Sequence, residues 1–304
     1  MKQSSVLLVG IRFYPSTKMT AQKRPDFYDL YVPDEKPLAA AMARVTHMGI
    51  GAHQDDLEIF AYHGIAACYR KTDRWFAGVT VTDGGGSART GPFASFSDEE
   101  MKAVRLKEQR EAARIGEYAL QAQLGFPSSA VKDKEDSAEL VDQLEFLLRH
   151  CRPDTLYIHN PADKHDTHIA TLARCIEALR RLMPEERPKR VYGCEVWRDL
   201  DWVADELKIA LPVDAFPGLA AKLITVFESQ VAGGKDYVQA TLGRRRANAT
   251  FFDPRTIDQA TAYTFALDLA PIVERSDLSL HDFTIELVDA FREDVRKRIQ
   301  RFAT

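Results

Sequence analysis

Apolar residues along this chain fall into two alternating rhythms. Short apolar runs over residues 45–50, 75–82 and 154–159 have the length and the β-branched and aromatic content of buried strands. Residues 57–70, 138–150 and 167–182 carry apolar positions three and four apart, which predicts helices. Ser97, with Glu100 three residues on, predicts a capped helix start, and that helix runs to about Arg114. Residues 190–197 read as extended. Strands alternating with helices predict an α/β fold: a Rossmann-like, doubly wound, mainly parallel sheet with helices on both faces. Loops at 52–56, 82–91 and 159–168 then leave strands at their carboxyl ends, where such sheets place ligands. Residues 13–40 are rich in Pro, Lys, Asp and Tyr without a period. The expected organisation is an irregular arm over 1–40, then a single domain over 41–304 with a decorated C-terminal part.

Composition narrows the class. Hydrophobic residues make up 45% and charged residues 28% of the 304, and the net charge is −4, which argues against nucleic acid as a partner. The basic run Arg244-Arg245-Arg246 reads as a solvated face. Cys68, Cys151, Cys175 and Cys194 have no paired spacing, so reduced, buried thiols in a cytoplasmic protein are expected. The apolar run 6–11 is too short for a secretion signal, and no run is long enough to span a bilayer.

The chemistry gathers in two groups: His53-Gln54-Asp55-Asp56 after one strand, and His165-Asp166-Thr167-His168 after another. Imidazole nitrogen and carboxylate oxygen suit zinc, with iron and manganese also compatible. Two adjacent carboxylates let one hold a metal while the other moves protons. The Gly84-Gly85-Gly86-Ser87 loop lets a substrate approach the backbone closely. Glu58 sits where the first turn of a helix favours negative charge. Arg89 and Arg105 can reach a hydroxyl, phosphate or carboxylate, although Arg105 with Glu108 also has the spacing of a surface ion pair. His159, at a strand end, is either a support of the site or a bystander. His63, His150 and His281 are read as polar residues without a role.

The segments 52–58 and 157–168, with Val79 to Gly86, Arg105-x-x-Glu108 and Gly116 between and around them, resemble the PIG-L (LmbE-like) deacetylase family. The resemblance implies a zinc-dependent enzyme that removes the acetyl group from an N-acetylglucosamine-type sugar or glycoconjugate. It implies His53, Asp56 and His168 as metal ligands and Asp55 as general base. His165 would stabilise the tetrahedral intermediate or protonate the leaving amine. Three positions depart from the family pattern: Gln54 stands for Pro, Asn160 for His, and Thr167 for the Asp that supports the catalytic His. Asn160 would then alter substrate contacts, and Asp163 or Asp166 would take over the support of His165. Lys222 and Ser229-Gln230 match a recurring family helix, and Trp197, Trp202 and Phe216 either cover the site or belong to the core. Rival readings are an amidase for another sugar-conjugate amide, a carbohydrate-binding protein with a vestigial metal site, and a nucleotide-binding Rossmann protein. Self-association through the arm is a further expectation.

Overall fold

The computed structural model describes residues 25–232 and 236–303. Eight strands form one sheet: β1 (Asp29–Tyr31), β2 (His47–Gly51), β3 (Phe76–Thr82), β4 (Leu120–Phe126), β5 (Thr155–His159), β6 (Arg190–Cys194), β7 (Ile209–Pro212) and β8 (Tyr263–Asp268). Their order is β1-β4-β3-β2-β5-β6-β8-β7. The five central strands β4, β3, β2, β5 and β6 are mutually parallel. β1 adds antiparallel to β4 at one edge, while β8 and β7 add antiparallel beyond β6. The expected doubly wound, mainly parallel α/β sheet is therefore present.

Side chains alternate across the strands and feed two apolar layers. Met48, Ile50, Val79, Leu156 and Ile158 face the helices Ala138–Cys151 and Asp166–Arg181, which supply Leu144, Leu148, Leu172 and Leu179. The opposite face collects Leu57, Phe60, Ile65, Phe76, Tyr157 and Phe227. Each such fully buried side chain contributes roughly 1.5–3 kcal/mol. On this face the helix Tyr62–Cys68 comes close to β5, and a Cβ on Gly64 would stand 2.5 Å from the Tyr157 ring. All four cysteines are buried, and burial pushes the thiols of Cys68 and Cys151 up to about 12.

Several expectations need correction. Residues 57–70 form two short helices, Asp56–Phe60 and Tyr62–Cys68, because Ala61 leaves helical geometry at φ −97°, ψ 12°. The strand expected over 190–197 ends at Cys194. In the expected arm, residues 1–24 and the 6–11 run lie outside the described residues. The rest is irregular except where Asp29–Tyr31 pairs with β4 and a helix begins at Leu38. The basic run is not a solvated face, since Arg245 is buried and Arg244 donates to the Val196 carbonyl; Arg246 alone is exposed. Among the described residues no helix is long and apolar enough to cross a membrane.

Candidate metal centre

The chain winds outward from β2 to β3 and β4 on one side, then returns to add β5 and β6 on the other. The sheet's switch point thus lies between β2 and β5, and their carboxyl ends carry the two His-Asp groups. The Ala52 N–H donates to His159 Nε2 at 2.9 Å, tying the two strand ends together. The turn after β2 is stapled by the His53 N–H, which donates to Asp56 Oδ2 at 2.7 Å. Gln54, where the family pattern has proline, locks the same turn by donating to the Thr82 carbonyl at 3.0 Å. Asp55 follows with φ 98°. Side chains with a Cβ rarely adopt this left-handed backbone, and it costs of order 1–3 kcal/mol.

Three side chains with donor atoms converge from these loops. His53 Nδ1 and His168 Nε2 are 3.1 Å apart. Asp56 places Oδ2 3.4 Å from the first and Oδ1 3.4 Å from the second. A tetrahedral zinc ion with bonds of about 2.0–2.1 Å holds its donors about 3.3 Å apart, so each of these pairs has a suitable spacing, with Asp56 turning a different oxygen to each ring. Two sets of side chains, His53-His165-His168 and Asp56-His159-His168, each bring their ligand atoms within 4.8 Å of one another, and between them they contain the trio. His159 spends the lone pair of Nε2 on the Ala52 N–H, which makes it a strut for the turn. His165 accepts the Thr167 N–H on Nδ1 at 3.3 Å; the neutral ring then carries its proton on Nε2. Its ring centroid lies 4.8 Å from that of His53 and 4.7 Å from that of His168.

The electrostatics suit metal binding. Burial lowers His168 to about 4 and also lowers His165, so both rings are neutral near pH 7. Burial opposes ionisation of Asp56, but the rings of His168 and His159 outweigh it and hold the carboxylate well below its usual range. Asp55 is different. Burial raises it to about 6; Arg105 opposes the rise and the neighbouring Asp56 adds to it. A carboxylate near neutrality is suited to exchanging a proton at pH 7.

Asp163 is buried and reaches three partners. Oδ1 lies 3.5 Å from His168 Nδ1 and accepts the His165 N–H at 3.0 Å, while Oδ2 accepts the Trp197 N–H at 3.1 Å. It therefore supports the ring of His168 rather than that of His165. Asp166 is exposed in the first turn of its helix.

Of the three expected substrate contacts, Asn160 and Arg89 lie outside the cavity lining. Asn160 is fully buried, donating to the Cys194 carbonyl at 3.0 Å and accepting the Ala162 N–H at 2.9 Å. Arg89 donates to the carbonyls of Phe96 and Gly85 and to Asp98, so its guanidinium ties its own loop. Arg105 borders the cavity, but its guanidinium donates to Asp55 Oδ2 at 3.1 Å, to the Gln54 carbonyl, and to Glu108 Oε2 at 3.0 Å. Glu108 in turn accepts from the N–H and hydroxyl of Ser229, both at 2.8 Å. Glu58 lies beneath the site with Tyr118 and Gln109 and is pushed up to about 7 by burial.

A cavity of about 560 Å³ opens over His53, Asp55, Asp56 and His165, with Trp197 in its lining as one reading of the sequence had it, and Gln230 beside it. Tyr237, Lys132 and Thr241, which no motif marked, also line it, as does Arg244 of the basic run. Trp202 instead packs on Phe291, and Phe216 is exposed against Tyr69.

Residues 48–179, which hold every donor named above, match the model of the PIG-L family, whose description reads GlcNAc-PI de-N-acetylase. No curated protein matches the chain in sequence. Among solved structures, the conserved protein TT1542 from Thermus thermophilus is 19% identical, with TM-score 0.56 over 77% of this chain and 98% of its own. GalB, the 4-carboxy-2-hydroxymuconate hydratase of Pseudomonas putida KT2440, is 16% identical, with TM-score 0.58 over 75% and 97%. The N,N'-diacetylchitobiose deacetylase of Pyrococcus horikoshii is 19% identical, with TM-score 0.55 over 73% and 84%. At these identities the likeness establishes the fold; one neighbour is a deacetylase and another a hydratase.

Proposed function

We propose, from the PIG-L domain that the chain carries over residues 48–179, that it is a metal-dependent amide hydrolase removing the N-acetyl group of an N-acetylglucosamine-type sugar or conjugate. The observation that carries this reading is the trio His53 Nδ1, Asp56 and His168 Nε2 at 3.1–3.4 Å, with a second carboxylate, Asp55, beside it. Metal binding alone would not require that second carboxylate. His53, Asp56 and His168 would hold zinc, or iron or manganese, since this donor set accepts all three. When bound, such an ion supplies a Lewis acid and lowers the pKa of water to about 7.

The chain's own residues divide the remaining work. Asp55 takes the proton of the attacking water, and Arg105 fixes the direction of its carboxylate through the 3.1 Å contact. His165, with its proton on Nε2, faces the same space and donates to the oxyanion or the departing amine. Asp163 orients His168 from behind. The cavity's 560 Å³ accommodates a sugar ring and part of an attached group, with Trp197 and Tyr237 offering apolar faces.

The test measures metal content and acetate release on one purified sample, using N-acetylglucosamine and a panel of its conjugates. About one metal per chain with acetate release is expected. Bound metal without acetate from any compound would redirect the reading to another reaction at the same centre. A chain that stays metal-free after growth in zinc-supplemented medium would overturn the ligand assignment.

A further inference from the structure

The last helix, Leu280–Gln300, is docked to the body along a single edge. Leu280 and Phe283 pack on the core, Leu287 is its one buried residue, and Phe291 meets Trp202 at 6.5 Å. To one side of this edge runs an uncovered apolar stripe: Ile285, Val288, Val295, Ile299 and, in the turn that follows, Phe302. Their exposure ranges from 37% at Val295 to 88% at Phe302. The spacing of three, four and seven residues is the a/d pattern of a helix-to-helix seam, with Arg292 in the remaining seam position. A contiguous apolar stripe of this kind on a soluble surface marks an interaction site.

Charge along the same helix identifies the partner. Asp282, Glu286 and Asp289 make the first half acidic, while Arg296, Lys297, Arg298 and Arg301 make the second half basic. Such a helix complements itself when two copies run antiparallel. We infer that this stripe is the seam of a two-fold dimer, in which the last helices of two chains pair antiparallel. Ile285 then lies opposite Phe302 of the second copy and Val288 opposite Ile299. Asp289, flanking the seam on its solvent side, meets Arg296. The existing pairs Arg292–Asp289, Arg296–Glu293 and Arg298–Asp294 are exposed and local, so they rearrange at little cost. A lipid surface fits less well, because residues 280–302 carry five acidic and five basic side chains, without the cationic excess of membrane-surface helices.

The test is sedimentation velocity of the full chain. The unmodified protein is expected to be a dimer, and Val295→Asp with Ile299→Asp a monomer with unchanged circular dichroism. Asp289→Arg alone and Arg296→Glu alone each place like charges across the seam twice and should weaken self-association about tenfold. Mixing these two variants restores attraction at both crossings, so a heterodimer should form in the mixture, which simple misfolding would not produce. Two results would overturn the inference: a monomeric full chain, or a dimer indifferent to all four substitutions. A monomer that instead pelleted with phosphatidylcholine–phosphatidylserine vesicles, and lost this in the Val295→Asp, Ile299→Asp variant, would assign the stripe to a membrane surface.

Discussion

Asp55 combines a left-handed backbone at φ 98° with a carboxylate held by Arg105, a strained geometry of the kind that clusters at reacting centres. Asparagine tolerates the same backbone but cannot accept a proton in the same way. Asp55→Asn should therefore keep its metal and lower kcat by about 10²–10⁴. Activity within tenfold of the parent, with metal retained, would remove Asp55 from the role of base. Asp163 offers a contrast at the same scale. Asp163→Asn should weaken metal affinity about 10–100-fold through His168, whereas Asp166→Asn, at an exposed position, should leave it unchanged. Isothermal titration of the metal-stripped variants distinguishes the two, and equal effects would refute the assignment of the support to Asp163. His53, Asp56 and His168, which the structure brings together, could be picked out in the sequence because each lies in a short motif. The partners of Arg105 could not. Gln54, Asp55 and Glu108 surround its guanidinium only once the helix Asp98–Ile115 has packed beside the turn after β2.

At the level of elements, β2, β3 and β5 could be read because they are buried on both faces and nearly free of polar residues. β4 could not. Its sequence Leu-Gln-Ala-Gln-Leu-Gly-Phe looks half exposed, yet Gln121 and Gln123 are buried and donate to Thr80 Oγ1 at 3.0 Å and the Leu106 carbonyl at 3.1 Å. Polar side chains that donate to partners inside a core disguise the strand. The capping box at Ser97 was legible because Ser97 and Glu100 satisfy each other locally. The break at Ala61 was not, since alanine is a strong helix former and carries no stop signal. Close packing of the helix Tyr62–Cys68 on β5 makes Gly64 a sensitive point. Gly64→Ala gains helix propensity but drives a methyl into Tyr157, and overpacking of this kind costs about 1–3 kcal/mol. Urea unfolding should show the loss; a variant as stable as the parent would mean that the Tyr157 ring moves aside freely.

For the whole molecule, acid stability depends also on two rings outside the candidate metal centre. Burial lowers His47 and His63 from 6.5 to about 4, and His63 pairs with the Tyr157 hydroxyl at 2.7 Å. The unfolded chain binds these protons below pH 6.5 and the folded chain does not until about pH 4. Their contribution is thus complete above pH 6.5 and is lost as pH falls from there to 4, by up to about 1.4 kcal/mol per pH unit for each ring. In His63→Gln the urea midpoint should fall less steeply over that window than in the parent, and parallel curves would contradict the burial argument. The four enclosed cysteines, with thiols far less acidic than usual, have a practical consequence. A maleimide dye will meet no accessible native thiolate, so a cysteine placed on the surface becomes the preferred labelling handle without first building a cysteine-free parent. Fluorescence energy transfer between two differently dyed populations can then be read on the otherwise native chain.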